Sequence, residues 1–446
     1  MSASAQSFPP ATQARRGVAC LAAVGFFLSM DITLTTLLIE PMKREMALSD
    51  IQIGLLQGTA FGLAFGLSSV PFGRLIDRGN RARLLGVGLL FWIGAMIITG
   101  IAPGFATLIL TRVVLGMVAA LLIPAALSLI ADLYPPEGRS VATSLFVVGQ
   151  AGGQAFGVLA GGLAFDALTA FLLSHPGSLL GLPAWRVLFI GTALLGLGPC
   201  VLLATLREPA RQEQKDRRIT AMGAFRELWT YRRFLVPLLA AMLFAQITMQ
   251  ATSVWAPPVL TRRFGLSPGQ FAGWLSVVML VGGILGALAG GRLGEAGRKR
   301  GGRNRVLLPA MIAALAIVPL SLFGLAPTVP VLGALLAGNI FAGAVVATLG
   351  VIAITLNFPN EIRGLALGSN VLCSTLFGTA TAPAAIALIA KVIGGEEMLG
   401  VAIAGLCMPA ALLSALCFLL AMRSGRADTT PTESGLTRIN LKEARR

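Results

Sequence analysis

Charge is scarce in this chain: only 12% of its 446 residues are Asp, Glu, Lys or Arg, while 56% are hydrophobic and the mean hydropathy is +0.82. Water-soluble domains carry roughly a quarter of their residues as charges, so the composition argues against one. Histidine is scarcer still, with His175 alone, and the five cysteines show no CxxC spacing. That pattern argues against a zinc centre and against a disulfide framework. No GxxxxGKS or GxxxxGKT segment occurs, so ATP is not the driving ligand and no cofactor is implied. A membrane-embedded lipid enzyme would need convergent nucleophile, acid or metal ligands, and one loop histidine with one mid-membrane carboxylate does not supply them.

What the chain has instead is apolar length. Twelve predominantly apolar stretches lie between residues 17 and 422, each of about 20 residues or more and so able, as a helix, to cross a hydrocarbon core of roughly 30 Å. The net charge of +16 does not read as a nucleic-acid surface. With residue 1 in the cytoplasm, 28 of the 35 Lys and Arg fall in the tails and cytoplasmic connections, six fall outside, and Arg112 lies within a helix. That asymmetry is the positive-inside bias, and it predicts cytoplasmic termini and a lipid bilayer as the principal partner. Residues 1–16 contain Arg15 and Arg16 but no short apolar region with a cleavage site, so the first helix is expected to be retained.

The charged run 207–233 is the one long polar connection, and it divides the chain. The expected organisation is a cytoplasmic tail (1–16), a six-helix half (17–206), a cytoplasmic linker (207–233), a second six-helix half (234–422) and a tail (423–446). Ala221 to Tyr231 reads as a short amphipathic helix on the membrane surface. GRLID at Gly73 to Asp77 recurs as GRLGE at Gly291 to Glu295, and YPPEGR at Tyr134 to Arg139 recurs as FPNEIR at Phe358 to Arg363, with offsets of 218 and 224 residues. Six helices per half preserve orientation, so the repeat is parallel. The predicted fold class is an all-α membrane protein of twelve transmembrane helices in two parallel-repeat six-helix halves.

These motifs resemble the major facilitator superfamily along essentially the whole chain. GRLIDRGNR is similar to that family's signature between helices 2 and 3, RVVLG (Arg112 to Gly116) to its helix 4 signature, and GGQAFGVLAGG (Gly152 to Gly162) to its glycine-rich helix 5. More narrowly, SLIADLYPPEGR and WRVLFIGTALLGLGPCVLLATLREP resemble the spinster-like branch. The resemblance implies secondary transport by alternating access, protons as a coupling partner, a lipid-like small molecule as substrate, and function as a monomer. Two departures stand out. Where that branch carries an arginine after the helix 1 aspartate and a glutamate in helix 4, this chain has Ile32 and Ala119.

Three sets of candidate site residues follow. Gly73, Asp77, Arg78 and Arg81 end helix 2; the repeated acid suggests a cytoplasmic latch between the halves that holds the outward-facing state, with a side chain at residue 73 obstructing close approach. Asp31 and Arg112 are rare intramembrane charges at matching depth and are expected to pair at the edge of a central cavity. Burial favours the protonated acid and a neighbouring arginine favours the carboxylate, so a motion that separates them supplies a basis for proton coupling; a static bridge is the competing reading. Gln57, Gln150, Gln154, Gln246, Gln250 and Asn339 are the cargo-cavity candidates, Gln150 sharing a face with Gln154 and Gln246 with Gln250. Interhelical hydrogen bonding is the alternative for each. Trp255, Pro257 and Pro258 read as an external gate or as an interface belt and helix terminator.

The reading is a secondary transporter of a lipid-like or hydrophobic organic molecule, in a bacterial inner membrane. A proton-coupled drug or organic-anion carrier is the alternative within the fold, and a transport-inactive receptor or scaffold is the alternative outside it.

Overall fold

The computed structural model describes residues 8–206, 208–211, 221–301 and 303–427, so most of the expected C-terminal tail and the middle of the linker lie outside the described residues. Lipid offers a backbone no hydrogen-bond partners, so a spanning segment closes its own N–H groups as a helix. Twelve described helices have the length and hydropathy to span. The first half holds α1 (Ala11–Leu37), α2 (Asp50–Arg78), α3 (Arg81–Gly100), α4 (Phe105–Leu133), α5 (Pro136–Ser174) and α6 (Ala184–Ala204). The second holds α7 (Arg232–Phe264), α8 (Pro268–Arg300), α9 (Leu307–Leu325), α10 (Val329–Asn357), α11 (Glu361–Ile393) and α12 (Glu396–Ser424). An even number of crossings puts both described chain ends on one side, here the terminal face; the other is the far face.

The first and last helices overrun the apolar limits of the sequence. The first begins at Ala11 rather than 17, and the last continues to Ala427 rather than 422. Hydropathy marks the hydrocarbon, whereas backbone hydrogen bonding carries a helix on into the headgroup region. The expected linker helix is present at Ala221–Thr230 and packs against the start of α11 with Leu228 buried.

The repeat extends to a local device. Ser49 caps the start of α2, its side chain accepting from Gln52 N–H while the Gln52 side chain accepts from Ser49 N–H. At the same offset of 218, Gln270 accepts from Ser267 N–H at 2.9 Å before α8.

Two glycine ladders set the packing. In α5, Gly149, Gly153 and Gly157 lie four apart against the α1 backbone, so that a Cβ at Gly153 would overlap the Phe26 carbonyl and one at Gly157 would come 2.8 Å from the Met30 carbonyl oxygen. In α2, Gly54, Gly58, Gly62 and Gly66 face α11, with a Cβ at Gly58 falling 2.8 Å from the Thr379 carbonyl oxygen. Small residues at this spacing let helices meet where lipid supplies no hydrophobic drive. Both partners of the second contact carry a π-helical turn, Leu55–Ala60 and Ser374–Thr379, and Thr59 Oγ1 donates across the halves to Ala380 O at 2.8 Å.

The α2–α11 ladder stops before the terminal face, since Gly73 has nothing among the described residues within 4 Å of a Cβ position. The apolar core divides in the same way. One buried cluster runs through the first half and on into α7, α8, α11 and α12 through Trp255, Phe271, Ile386 and Ile403, whereas Leu238, Leu349 and Phe418 belong to a separate cluster in the second half. The halves are therefore joined toward the far face and diverge toward the terminal face.

Overpacking a tight contact costs about 1–3 kcal/mol, so Gly153→Val should lower the melting temperature of the purified protein by several degrees. Gly73→Ala, which meets open space, should leave it unchanged. Equal melting of Gly153→Val and wild type would contradict this packing.

Candidate functional site

Asp31 in α1 and Arg112 in α4 meet inside the first half. Arg112 Nη1 lies 3.5 Å from Asp31 Oδ1, and the side chains are 4% and 2% exposed. Thr35, one turn along α1, donates to Asp31 O at 2.9 Å and to its Oδ1 at 3.4 Å. The guanidinium stands 5.9 Å from the Phe189 ring centroid in α6, and its Nε and Nη2 have no hydrogen-bond partner among the described residues. One long contact therefore carries most of the compensation for a buried cation, and removing one partner of such a pair costs about 3–5 kcal/mol.

The pair does not sit at the edge of the central cavity, where the sequence placed it. The cavity, of about 200 Å³, lies between α1, α5, α7, α8 and α10, and α1 faces it with Thr33, Thr36 and Leu37. At 100° per residue these positions point away from Asp31, so the carboxylate turns into its own half while α1 stands between it and the cavity.

Of the cargo candidates, Gln154 lines this cavity. Gln150 packs its stem against Gly25 of α1, and Gln246 Nε2 donates to Thr379 Oγ1 of α11 at 3.2 Å, so both act between helices within one half. Asn339 is buried behind the cavity, its Oδ1 accepting from Thr252 Oγ1 at 3.4 Å and its Nδ2 without a partner among the described residues. Gln57 is buried in the π-helical turn of α2, also with an unpartnered amide nitrogen, and Gln250 is half-buried. Thr33, Thr36, Thr252 and Ser253 line the cavity and were not anticipated; Thr33 and Thr36, three apart in α1, were the available signal. The hydroxyls of Thr33, Thr36 and Thr252 donate to carbonyls of their own helices, so they present oxygens that accept rather than donors. No Asp, Glu, Lys or Arg is among the lining residues.

The far face is closed by charge. Arg262 at the end of α7 forks onto Asp50 at the start of α2, with both nitrogen–oxygen distances 2.7 Å, and its Nε donates to Glu40 at 2.7 Å. Glu40 and Lys43 lie on the short helix Ile39–Met46. Lys43 Nζ reaches Asp50 at 2.6 Å and Glu396, at the start of α12, at 2.5 Å. Glu40, Lys43 and Asp50 belong to the first half and Arg262 and Glu396 to the second, so these bonds tie the halves together. A bidentate Arg–carboxylate pair is the strongest geometry available to them. The cluster went unrecognised in the sequence, where the signal was matched acids beside the few basic residues that the topology leaves on this side. Trp255 and Pro257 lie deeper, Trp255 with its ring 5.9 Å from the Arg262 guanidinium and Pro257 on the cavity wall. Pro257 and Pro258 fall within α7 and do not terminate it.

At the terminal face the four latch candidates separate. Asp77 and Arg78 are exposed at the end of α2 beside Gly73. Arg81 lies instead inside the first half, almost fully buried, where it bonds Asp132 at 2.5 Å, Ser128 Oγ at 2.9 Å and Glu208 at 2.7 Å. Glu208 also accepts from Ala82 N–H at the start of α3, and Arg211 donates to the carbonyls of Ile76, Asp77 and Gly79 that end α2. The segment after α6 thus neutralises both ends of the α2–α3 turn.

Two like six-helix bundles, sealed at one face around a central cavity, define the class: an integral membrane transporter. Residues 20–338 match the Major Facilitator Superfamily, and the chain belongs to that family. It is 26% identical over 316 residues to an MFS-type efflux pump of Mycolicibacterium smegmatis, covering 67% of this chain and 69% of that one. A probable L-galactonate transporter of Escherichia coli is 34% identical over 64 residues, 14% of each chain. Among solved structures, a bacterial homologue of the human lysosomal transporter Spinster, inward-facing and unoccupied, superposes with a TM-score of 0.76 at 22% identity, covering 93% of this chain and 97% of that one. A nucleoside transporter superposes with a TM-score of 0.69 at 13% identity, covering 92% and 99%.

If charge holds the far face shut, Arg262→Ala should open it. Thr36→Cys, in a background lacking the native cysteines, should then be labelled several-fold faster by a membrane-impermeant thiol reagent added from the far side. Unchanged labelling would contradict the gate.

Proposed function

We propose that the chain carries a lipid-like or hydrophobic organic molecule across the membrane by alternating access, and that the Asp31–Arg112 pair couples this to protons. The observation that carries the reading is the contrast between a cargo cavity without charge and one buried ion pair behind its α1 wall. An apolar cavity offering acceptor oxygens suits amphipathic or apolar cargo and lacks the cations that a phosphorylated sugar requires. Asp31 and Arg112 belong to one half, so coupling requires α1, tied to α5, to shift against α4 as the halves rock. Once parted from Arg112, a buried carboxylate is stable only after taking a proton. A proton is thereby bound in one state of the cycle and released in the other.

The orientation proposed is a terminal face in the cytoplasm of a bacterial inner membrane, with the chain working as a monomer. This conformation is then inward-facing, closed outside by Arg262 and its partners. In the outward-facing state Gly73 and Asp77 would approach the start of α11, where a carboxylate near a helix N-terminus is favoured by roughly 0.3–1 kcal/mol. Arg78 would stand beside them, and Arg81 would hold the turn that presents them. The identity to an efflux pump favours a second reading of the cargo, an exported drug-like organic molecule.

Flux into proteoliposomes tests both. Transport of a fluorescent lysolipid should accelerate with an imposed pH gradient in wild type and lose that dependence in Asp31→Asn. A pH response preserved in Asp31→Asn would make the pair a static fastener, and transport of a hydrophobic drug without the lysolipid would favour the second reading. Asp77→Asn should slow turnover and enrich the inward-facing population; unchanged populations by accessibility labelling would remove the latch.

A further inference from the structure

The far face carries a further cavity, of about 610 Å³, that shares no lining residue with the central cavity. It is bounded by the end of α5, the start of α6, the short helix Ile39–Met46 and the α7–α8 turn. Its walls are apolar, with Phe165, Leu172 and Leu173 on one side and Leu266 and Pro268 on the other. Three charged residues line it, and two are already matched. Glu40 is held by Arg262, and Glu45 accepts from Arg186 Nε at 2.9 Å and from the Trp185 indole. Arg44 is exposed and pairs with no carboxylate among the described residues.

We propose that this cavity binds an anionic single-chain amphiphile from the far-face leaflet, with the acidic head on Arg44 and the chain along Phe165, Leu172 and Leu266. The volume falls in the range of small-molecule sites, and a guanidinium above an apolar slot matches an acidic headgroup above an acyl chain. The rim is built for lipid. Residues 167–185 contain no Asp, Glu, Lys or Arg, and Leu173 and Leu180 are 78% and 94% exposed there. A bare leucine at that position is favourable against hydrocarbon and costly against water.

Because Leu266 and Pro268 belong to the second half and the other walls to the first, an occupant is complementary only to the arrangement in which the far face is shut. Binding therefore favours that state. The site is separate from the cargo cavity and does not depend on the identity of the cargo or on proton coupling.

The test is equilibrium binding of dodecyl phosphate to the full chain in nanodiscs, with inorganic phosphate and dodecyltrimethylammonium as comparators. Dodecyl phosphate should bind saturably and should weaken at least tenfold in Arg44→Gln and in Thr169→Trp, which fills the cavity without altering charge. Arg44→Lys should retain most of the binding, and Arg263→Gln, an exposed cation outside this cavity, should match wild type. Both comparators should fail to bind. The proposal is overturned if Arg44→Gln and Thr169→Trp bind dodecyl phosphate as wild type does, because the amphiphile then sits elsewhere. It is equally overturned if inorganic phosphate binds as tightly, which needs no chain pocket, or if the cationic amphiphile does, which needs no arginine.

Discussion

The arrangement of the two halves depends on a guanidinium shared between them. Arg262 belongs to α7, yet its strongest partners, Asp50 and Glu40, belong to the other half, and Lys43 returns the connection to Glu396. A seal made only of apolar surface gains little in a membrane, where lipid is as good a partner as protein. Charges at the boundary are different: they attract strongly while partly dry and are resolvated by water when they part. Such a closure holds without being permanent, as a gate must.

The two glycine ladders divide the mechanical roles. The α1–α5 ladder lies within one half and ties α1 to α5. The α2–α11 ladder joins the halves, with Leu376 and Pro383 of α11 packed into its glycine notches, and the facing π-helical turns and the Thr59 bond lie within it. Below it the helices separate, and Gly73 meets nothing among the described residues. Closure of the far face and opening of the terminal face are thus one rigid-body relation between two bundles.

Much of this was legible in the sequence for a physical reason. Spans, repeat and family follow from local hydropathy and from motifs in the connections, and these survive without knowledge of tertiary packing. The Asp31–Arg112 pair was legible because a charge inside a span is rare and depth follows from counting residues. Its position behind α1 was not, because helical spacing relates residues on one helix but does not say which face turns inward. The same gap explains the glutamines: Gln150 and Gln154 share a side of α5, yet Gln150 rests on α1 while Gln154 reaches the cavity. Arg81 was grouped with Asp77 by proximity in the chain, whereas a helix start between them turns it toward Asp132 and Glu208. The gate was least legible, since charges at helix ends are ordinary and their pairing exists only once two bundles meet.

The proposed transport requires the halves to rock about the α2–α11 contact, with the far-face charges as the releasable closure. Pairs of spin labels across the halves, one pair at each face, measure this directly as cargo and pH are varied. Two populations are expected, in which the far-face distance grows as the terminal-face distance shrinks. Distances that change at one face alone, or not at all, would contradict it.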